Sequence, residues 1–81
     1  MHPQVRLNPG EVLHIDGEAS VQFAGARALT FRLIRVDARS TYDGWLWLEG
    51  YVLSATGVAM QRRRVFVRRD GLRTAAVNGR G

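Results

Sequence analysis

Between residues 44 and 68, two stretches of β-forming residues flank Ser54-Ala55-Thr56-Gly57, and this arrangement constrains the chain more than any other feature it carries. Gly44 to Leu53 is dense in aromatic and bulky aliphatic residues, and Val58 to Arg68 is its natural partner. The four residues between them suit a three-residue hairpin loop, with Ser54 before a type I turn and Gly57 in the left-handed region. If Ser54 pairs with Val58, the register sets Trp45 opposite Val67, Trp47 opposite Val65, Glu49 opposite Arg63 and Tyr51 opposite Gln61. The other face then holds Leu46 with Phe66, Leu48 with Arg64, Gly50 with Arg62 and Val52 with Met60. A slip of one residue would instead set Trp47 beside Arg64 and Glu49 beside Arg62. In either register the hairpin is apolar on both faces near its base.

The rest of the chain is also patterned for strands. Pro3 and Asn8-Pro9-Gly10 describe a flexible N-terminal arm over residues 1–10, closed by a turn. A strand is expected from Glu11 through Val12, Leu13 and Ile15. Asp16-Gly17 then reads as a two-residue turn into a second strand, where Val21 and Phe23 alternate with Ser20 and Gln22. Thr30 to Val36 places Phe31 and Leu33 on one side and Ile34 and Val36 on the other. A bulge near Leu33-Ile34 would turn all four inward and leave Arg32 and Arg35 in water; the alternative is a central strand buried on both sides.

Asp37 to Asp43 is too short for the helix that an oligonucleotide-binding OB barrel carries between its third and fourth strands, so an SH3-like small barrel fits better. No amphipathic helical stripe exceeds two turns. The expected fold is therefore all-β: a five-stranded antiparallel SH3-like barrel over residues 11–73, followed by a disordered tail at 74–81 where periodicity ends.

Eighty-one residues leave room for one domain, whose core buries roughly 60% of the unfolded chain's surface. Without cysteine or a metal-ligand cluster, such a domain relies on packing alone or on a second copy, so a homodimer is one expectation. No apolar run nears the roughly 18 residues that cross a bilayer, and residues 1–10 are polar rather than a basic stretch followed by a hydrophobic segment, so a cytoplasmic protein without membrane contact is expected. His2 and His14 lack ligand neighbours at useful spacing, so no metal or cofactor is expected. Catalytic constellations are scarce. There is no cysteine nucleophile, no glycine-rich phosphate loop and no histidine near a serine and an aspartate, while Asp16, Asp37, Asp43 and Asp70 sit in turn positions. A non-enzyme is expected.

The charge distribution is more telling. All 12 basic residues are arginine, and residues 62–73 hold six of them against Asp70, which equals the chain's whole net charge of +5. Arg62, Arg64, Arg68, Arg69 and Arg73 are the candidates for a phosphate-tracking stripe, and aromatic residues beside such a stripe are the usual make-up of a single-strand binding surface. The plain alternative is a solvated edge strand whose charges prevent edge-to-edge pairing, with Glu49 paired across the ladder. In a strand, Arg62-Arg63-Arg64 cannot all point one way. Trp45, Trp47 and Tyr51 form a candidate platform for stacked bases or for a partner protein, unless a bent strand feeds them to the core.

The stretch Thr41-Tyr-Asp-Gly-Trp-Leu-Trp-Leu-Glu-Gly-Tyr51, with Arg63-Arg64-Val-Phe-Val67 and Gly71-Leu72-Arg73, resembles short uncharacterised actinobacterial proteins across the middle and C-terminal half. The resemblance fits a GC-rich origin for the all-arginine basic set and implies no activity. The expected function is a non-catalytic binding module that engages DNA or RNA through its basic C-terminal strand. The alternative is a protein-protein interaction or homodimerisation module using the Trp/Tyr face.

Overall fold

The computed structural model describes residues 5–37 and 42–75. Five antiparallel strands form one sheet: β1 (Val12–Ile15), β2 (Leu29–Val36), β3 (Trp45–Leu53), β4 (Ala59–Arg68) and β5 (Arg73–Thr74), in the order β4-β3-β2-β1-β5. The only helical segments among the described residues are 3-10 turns at Val21–Phe23, Gly25–Arg27 and Arg69–Gly71. None is long and apolar enough to cross a membrane. The chain is all-β as expected, but β4 and β5 do not pair, so the sheet is not a closed barrel.

Strict alternation decides which side chains are buried. Leu13 and Ile15 of β1, Phe31 and Leu33 of β2, Leu48 of β3, and Val65 and Val67 of β4 point to one face and are at most 1% exposed. A single sheet achieves that only when its inner face is curled and covered. Ala19, Phe23 and Leu72 supply buried residues from outside the strands, and Val5 and Leu7 pack against the same core. The backbone joins the cover to the sheet: the Arg68 N–H donates to the Ala19 carbonyl at 2.8 Å, and the Gly10 N–H donates to Leu33 at 2.8 Å.

Two glycines let backbones approach where a side chain would not fit. A Cβ on Gly50 would lie 2.3 Å from the Arg32 carbonyl oxygen and 2.6 Å from the Phe31 ring. One on Gly71 would lie 2.0 Å from the Glu18 carbonyl oxygen. The first brings β2 and β3 together over the core, and the second seats the 3-10 turn before β5 against the loop after β1.

Several expectations need correcting. Val21 and Phe23 belong to a 3-10 turn rather than a strand, and β1 pairs with β2 and β5 instead of forming a first hairpin. Asp16 explains why. Its carbonyl accepts the N–H groups of Ala19 and Ser20 at 2.9 and 3.1 Å, and its carboxylate accepts that of Glu18 at 2.9 Å, so the chain coils where a two-residue turn would have reversed it. The bulge in β2 is present, with the register shifting between Leu33 and Arg35, and Arg32 and Arg35 stay exposed. Phe31 and Leu33 are buried and Val36 packs against the core, whereas Ile34, the extra residue, is only half-buried.

Of the expected N-terminal arm, residues 1–4 lie outside the described residues, as do residues 76–81 of the expected tail. Thr74, at the start of that tail, pairs with Leu13.

The β3–β4 hairpin closes as anticipated and then departs from the expected register. The Ser54 N–H donates to the Val58 carbonyl at 2.8 Å, the Gly57 N–H donates to Ser54 at 2.9 Å, and Gly57 has a φ of 88°. Leu53 pairs with Ala59, yet Val52 pairs with Gln61, which leaves Met60 as an unpaired extra residue in β4. From there to the strand's end every partner is displaced by one. Trp45 faces Arg68, Trp47 faces Phe66, Glu49 faces Arg64 and Tyr51 faces Arg62. Neither register read from the sequence contains this shift, because a bulge reverses the parity of all that follows it.

Candidate nucleic-acid interface

The Met60 bulge determines what shares the sheet's outer face. With β4 reset by one, Val65 and Val67 enter the core, and Phe66, Arg64 and Arg62 join Trp45, Trp47, Glu49 and Tyr51 on the opposite side. At the Trp45 end an aromatic cluster results. The Phe66 ring lies 5.0 Å from both Trp45 and Trp47, nearly parallel to the first, and 6.4 Å from Tyr42. Tyr42 is 76% exposed, while Trp45, Trp47 and Phe66 are half-buried. These rings are not in the core, whose members come from the alternate positions.

Towards the middle of the face the chemistry becomes ionic. Glu49 is held between strands: Arg62 Nε of β4 donates to its Oε2 at 2.8 Å, and Arg35 Nε of β2 donates to its Oε1 at 3.0 Å. The Arg62 hydrogen bond, aided by the Arg35 charge, holds the Glu49 carboxyl below its ordinary value despite the opposing effect of desolvation. Arg64 meets Asp37 at 2.6 Å, and its guanidinium carbon lies 5.3 Å from the Trp47 ring centroid, so it bridges the ionic and aromatic zones.

Among the described residues the strands place Arg32, Arg35, Arg62, Arg64, Arg68 and Arg73 on this face by register, against one acid, Glu49. Asp37 and Asp16 approach only from strand ends. Most of these guanidinium groups already touch an acceptor, but the pairs are solvent-exposed, with 43–58% of the arginine side chains accessible. Their carboxylate partners are only 13–19% accessible, and pairs with such exposed guanidinium groups contribute little net stability.

The predicted stripe is therefore distributed rather than continuous. Arg62 and Arg64 lie on the outer face with Trp45, Trp47 and Tyr51. Arg68 closes the aromatic end, where its Nη2 donates to the Glu18 carbonyl at 3.2 Å. Arg69 sits in the 3-10 turn after β4, its N–H bonded to Gly44 at 2.8 Å. Arg73 lies on β5, at the far edge of the sheet, paired with Asp16. Arg63, expected opposite Glu49, points to the inner side, where its guanidinium carbon lies 5.5 Å from the Phe23 ring.

Sequence reasoning missed Phe66 and Tyr42 as members of the aromatic cluster, and Arg32 and Arg35 as members of the basic one. The signal for the two arginines was present, since both were expected in water. Phe66 carried none, because Val65-Phe66-Val67 is apolar throughout and does not reveal its own parity.

No family model matches this chain, and neither the curated proteins nor the solved structures provide a match.

Proposed function

We propose that the protein is a non-catalytic SH3-like β module that binds single-stranded nucleic acid across the outer face of its sheet. The SH3-like reading is supported by the return of β5 beside β1 and by the 3-10 turn that leads into it. The observation that carries the binding reading is the shared face: Trp45, Trp47, Phe66 and Tyr42 at one end, next to Arg62, Arg64 and Arg35, with Glu49 as the sole strand acid among the described residues. Stacking surfaces for bases beside guanidinium groups for phosphates form the usual composition of sequence-tolerant single-strand sites.

The test is anisotropy of a labelled oligothymidine or oligouridine against salt. Three arginine contacts would give a slope of log affinity on log salt of roughly −2, and Arg64→Gln would flatten it by about 0.7. Absence of binding at low salt, together with a salt-resistant dimer in sedimentation, would overturn the reading in favour of a protein-interaction surface built on the same aromatic cluster.

A further inference from the structure

At the opposite end of the outer face from the tryptophans lies an open groove of about 860 Å³. Val12 and Leu53 give it an apolar floor, and Thr30, His14, Arg32 and Arg73 line it along with the hairpin loop and the residues after Arg73. Arg32 differs from every other arginine that the strands place on this face. Arg35 and Arg62 meet Glu49, Arg64 meets Asp37, Arg73 meets Asp16, and Arg68 meets a backbone carbonyl. Arg32 is exposed and has no acceptor among the described residues, although it stands mid-sheet between Val12 and Tyr51.

The other basic groups in the groove are held from behind. Asp16 pairs with Arg73 and lies 3.3 Å from His14 Nε2, and its own carboxylate is fixed by the Glu18 N–H at 2.9 Å. A guanidinium has five N–H donors, so Arg73 keeps donors free for the groove while Asp16 sets its orientation.

We propose that this groove binds a phosphate monoester. Arg32 is its principal anion contact, Arg73 is the second, and the Val12–Leu53 floor receives the apolar part of the ligand. A phosphate monoester carries close to two negative charges and three acceptor oxygens, which suits two guanidinium groups with a threonine hydroxyl nearby better than a carboxylate does. Two sources share this chemistry, a free mononucleotide and the terminal phosphate of a strand. The site stands apart from the aromatic end, so it does not depend on base stacking there.

The full chain is titrated at low salt with uridine 5′-monophosphate and uridine, and with a thymidine hexamer bearing either a 5′-phosphate or a 5′-hydroxyl. Amide shifts are followed by NMR. The proposal expects the phosphate to improve affinity by about tenfold in at least one of the two pairs, roughly the strength of one charge-assisted hydrogen bond. Shifts should centre on Val12, Arg32 and Thr74. A gain for the mononucleotide marks a free ligand, and a gain confined to the hexamer marks a strand end.

Arg32→Gln should remove the gain, Arg32→Lys should keep part of it by retaining charge without the fork, and Arg6→Gln should leave it intact. Equal affinity with and without the phosphate in both pairs would overturn the proposal. So would an unchanged gain in a folded Arg32→Gln protein, or shifts confined to the tryptophan end. A 5′-hydroxyl hexamer that fails to bind counts against the stacking platform alone, because the mononucleotide still tests the groove.

Discussion

The inner and outer faces of the β3–β4 ladder are made from alternate residues of the same two strands and share one backbone, yet they are built for different ends. Leu48, Val65 and Val67 on the inner face are excluded from water and meet other apolar side chains. Trp45, Trp47 and Phe66 on the outer face bury one another only halfway, and the charges beside them sit in exposed pairs. Apolar residues on the inner face therefore act mainly on folding. Those on the outer face are free to act on whatever approaches, because their remaining apolar area is still in contact with water.

The sharpest way to break this contrast is to truncate one aromatic residue on each face of the whole sheet. Phe31→Ala should cost about 4 kcal/mol, because Phe31 is fully buried and its removal leaves a cavity that neighbouring strands cannot close. Trp47→Ala should cost about 2 kcal/mol of stability, from half a buried indole and its pairing with Phe66, while weakening oligonucleotide binding by about 1 to 3 kcal/mol. Urea melts and anisotropy on both variants check the pair. Equal losses of stability would mean that the two faces are not distinct.

A smaller effect is expected at the turn that joins the strands. Nothing lies within 4 Å of a Cβ on Gly57, so Gly57→Ala should cost only the backbone strain of a left-handed residue, about 1 kcal/mol. The melting temperature should fall without loss of affinity for a 5′-hydroxyl oligonucleotide; an affinity loss larger than the stability loss would extend the aromatic site as far as the loop.

The smallest effect concerns Glu49, whose folded carboxyl titrates below its ordinary value because Arg62 donates to it and Arg35 lies alongside. A depressed folded value means that the contribution to stability is present above the ordinary carboxylate range and is lost as pH falls through the folded value. Asp16 behaves in the same direction, chiefly through the Glu18 N–H and then through Arg73 and His14. Glu49→Gln should therefore flatten the acid limb of a melting temperature against pH profile without abolishing it. An unchanged limb would show that the ion pairs contribute nothing to folding.

How much of this was legible depended on whether the information was local. The long strands could be read from composition, and so could the left-handed Gly57 and the bulge near Ile34, since Phe31-Arg32-Leu33-Ile34-Arg35-Val36 breaks alternation visibly. The Met60 bulge could not. Ala59-Met60-Gln61 contains no glycine to mark a bulge, and the shift shows only in the pairing that sets Val65 and Val67 over the core. The candidate site suffered most from this. The register expected from the sequence sets Phe66 on the side away from the tryptophans and Arg63 against Glu49, whereas Phe66 faces Trp47 and Arg63 turns inward. The coil after Asp16 is hidden for a related reason, because an aspartate before glycine signals a turn without saying whether the chain reverses or coils on.

Met60 has a further consequence. Its side chain is 66% exposed and fills no space in the core, so almost any residue should serve in its place. What the fold requires there is a count. With nine residues in place of ten between Ala59 and Arg68, the hairpin would still close at Ser54, but valines would turn to water and arginines to the core. The position should tolerate nearly every substitution and no deletion. A chain can thus carry structural information in its length at a site where its chemistry carries none.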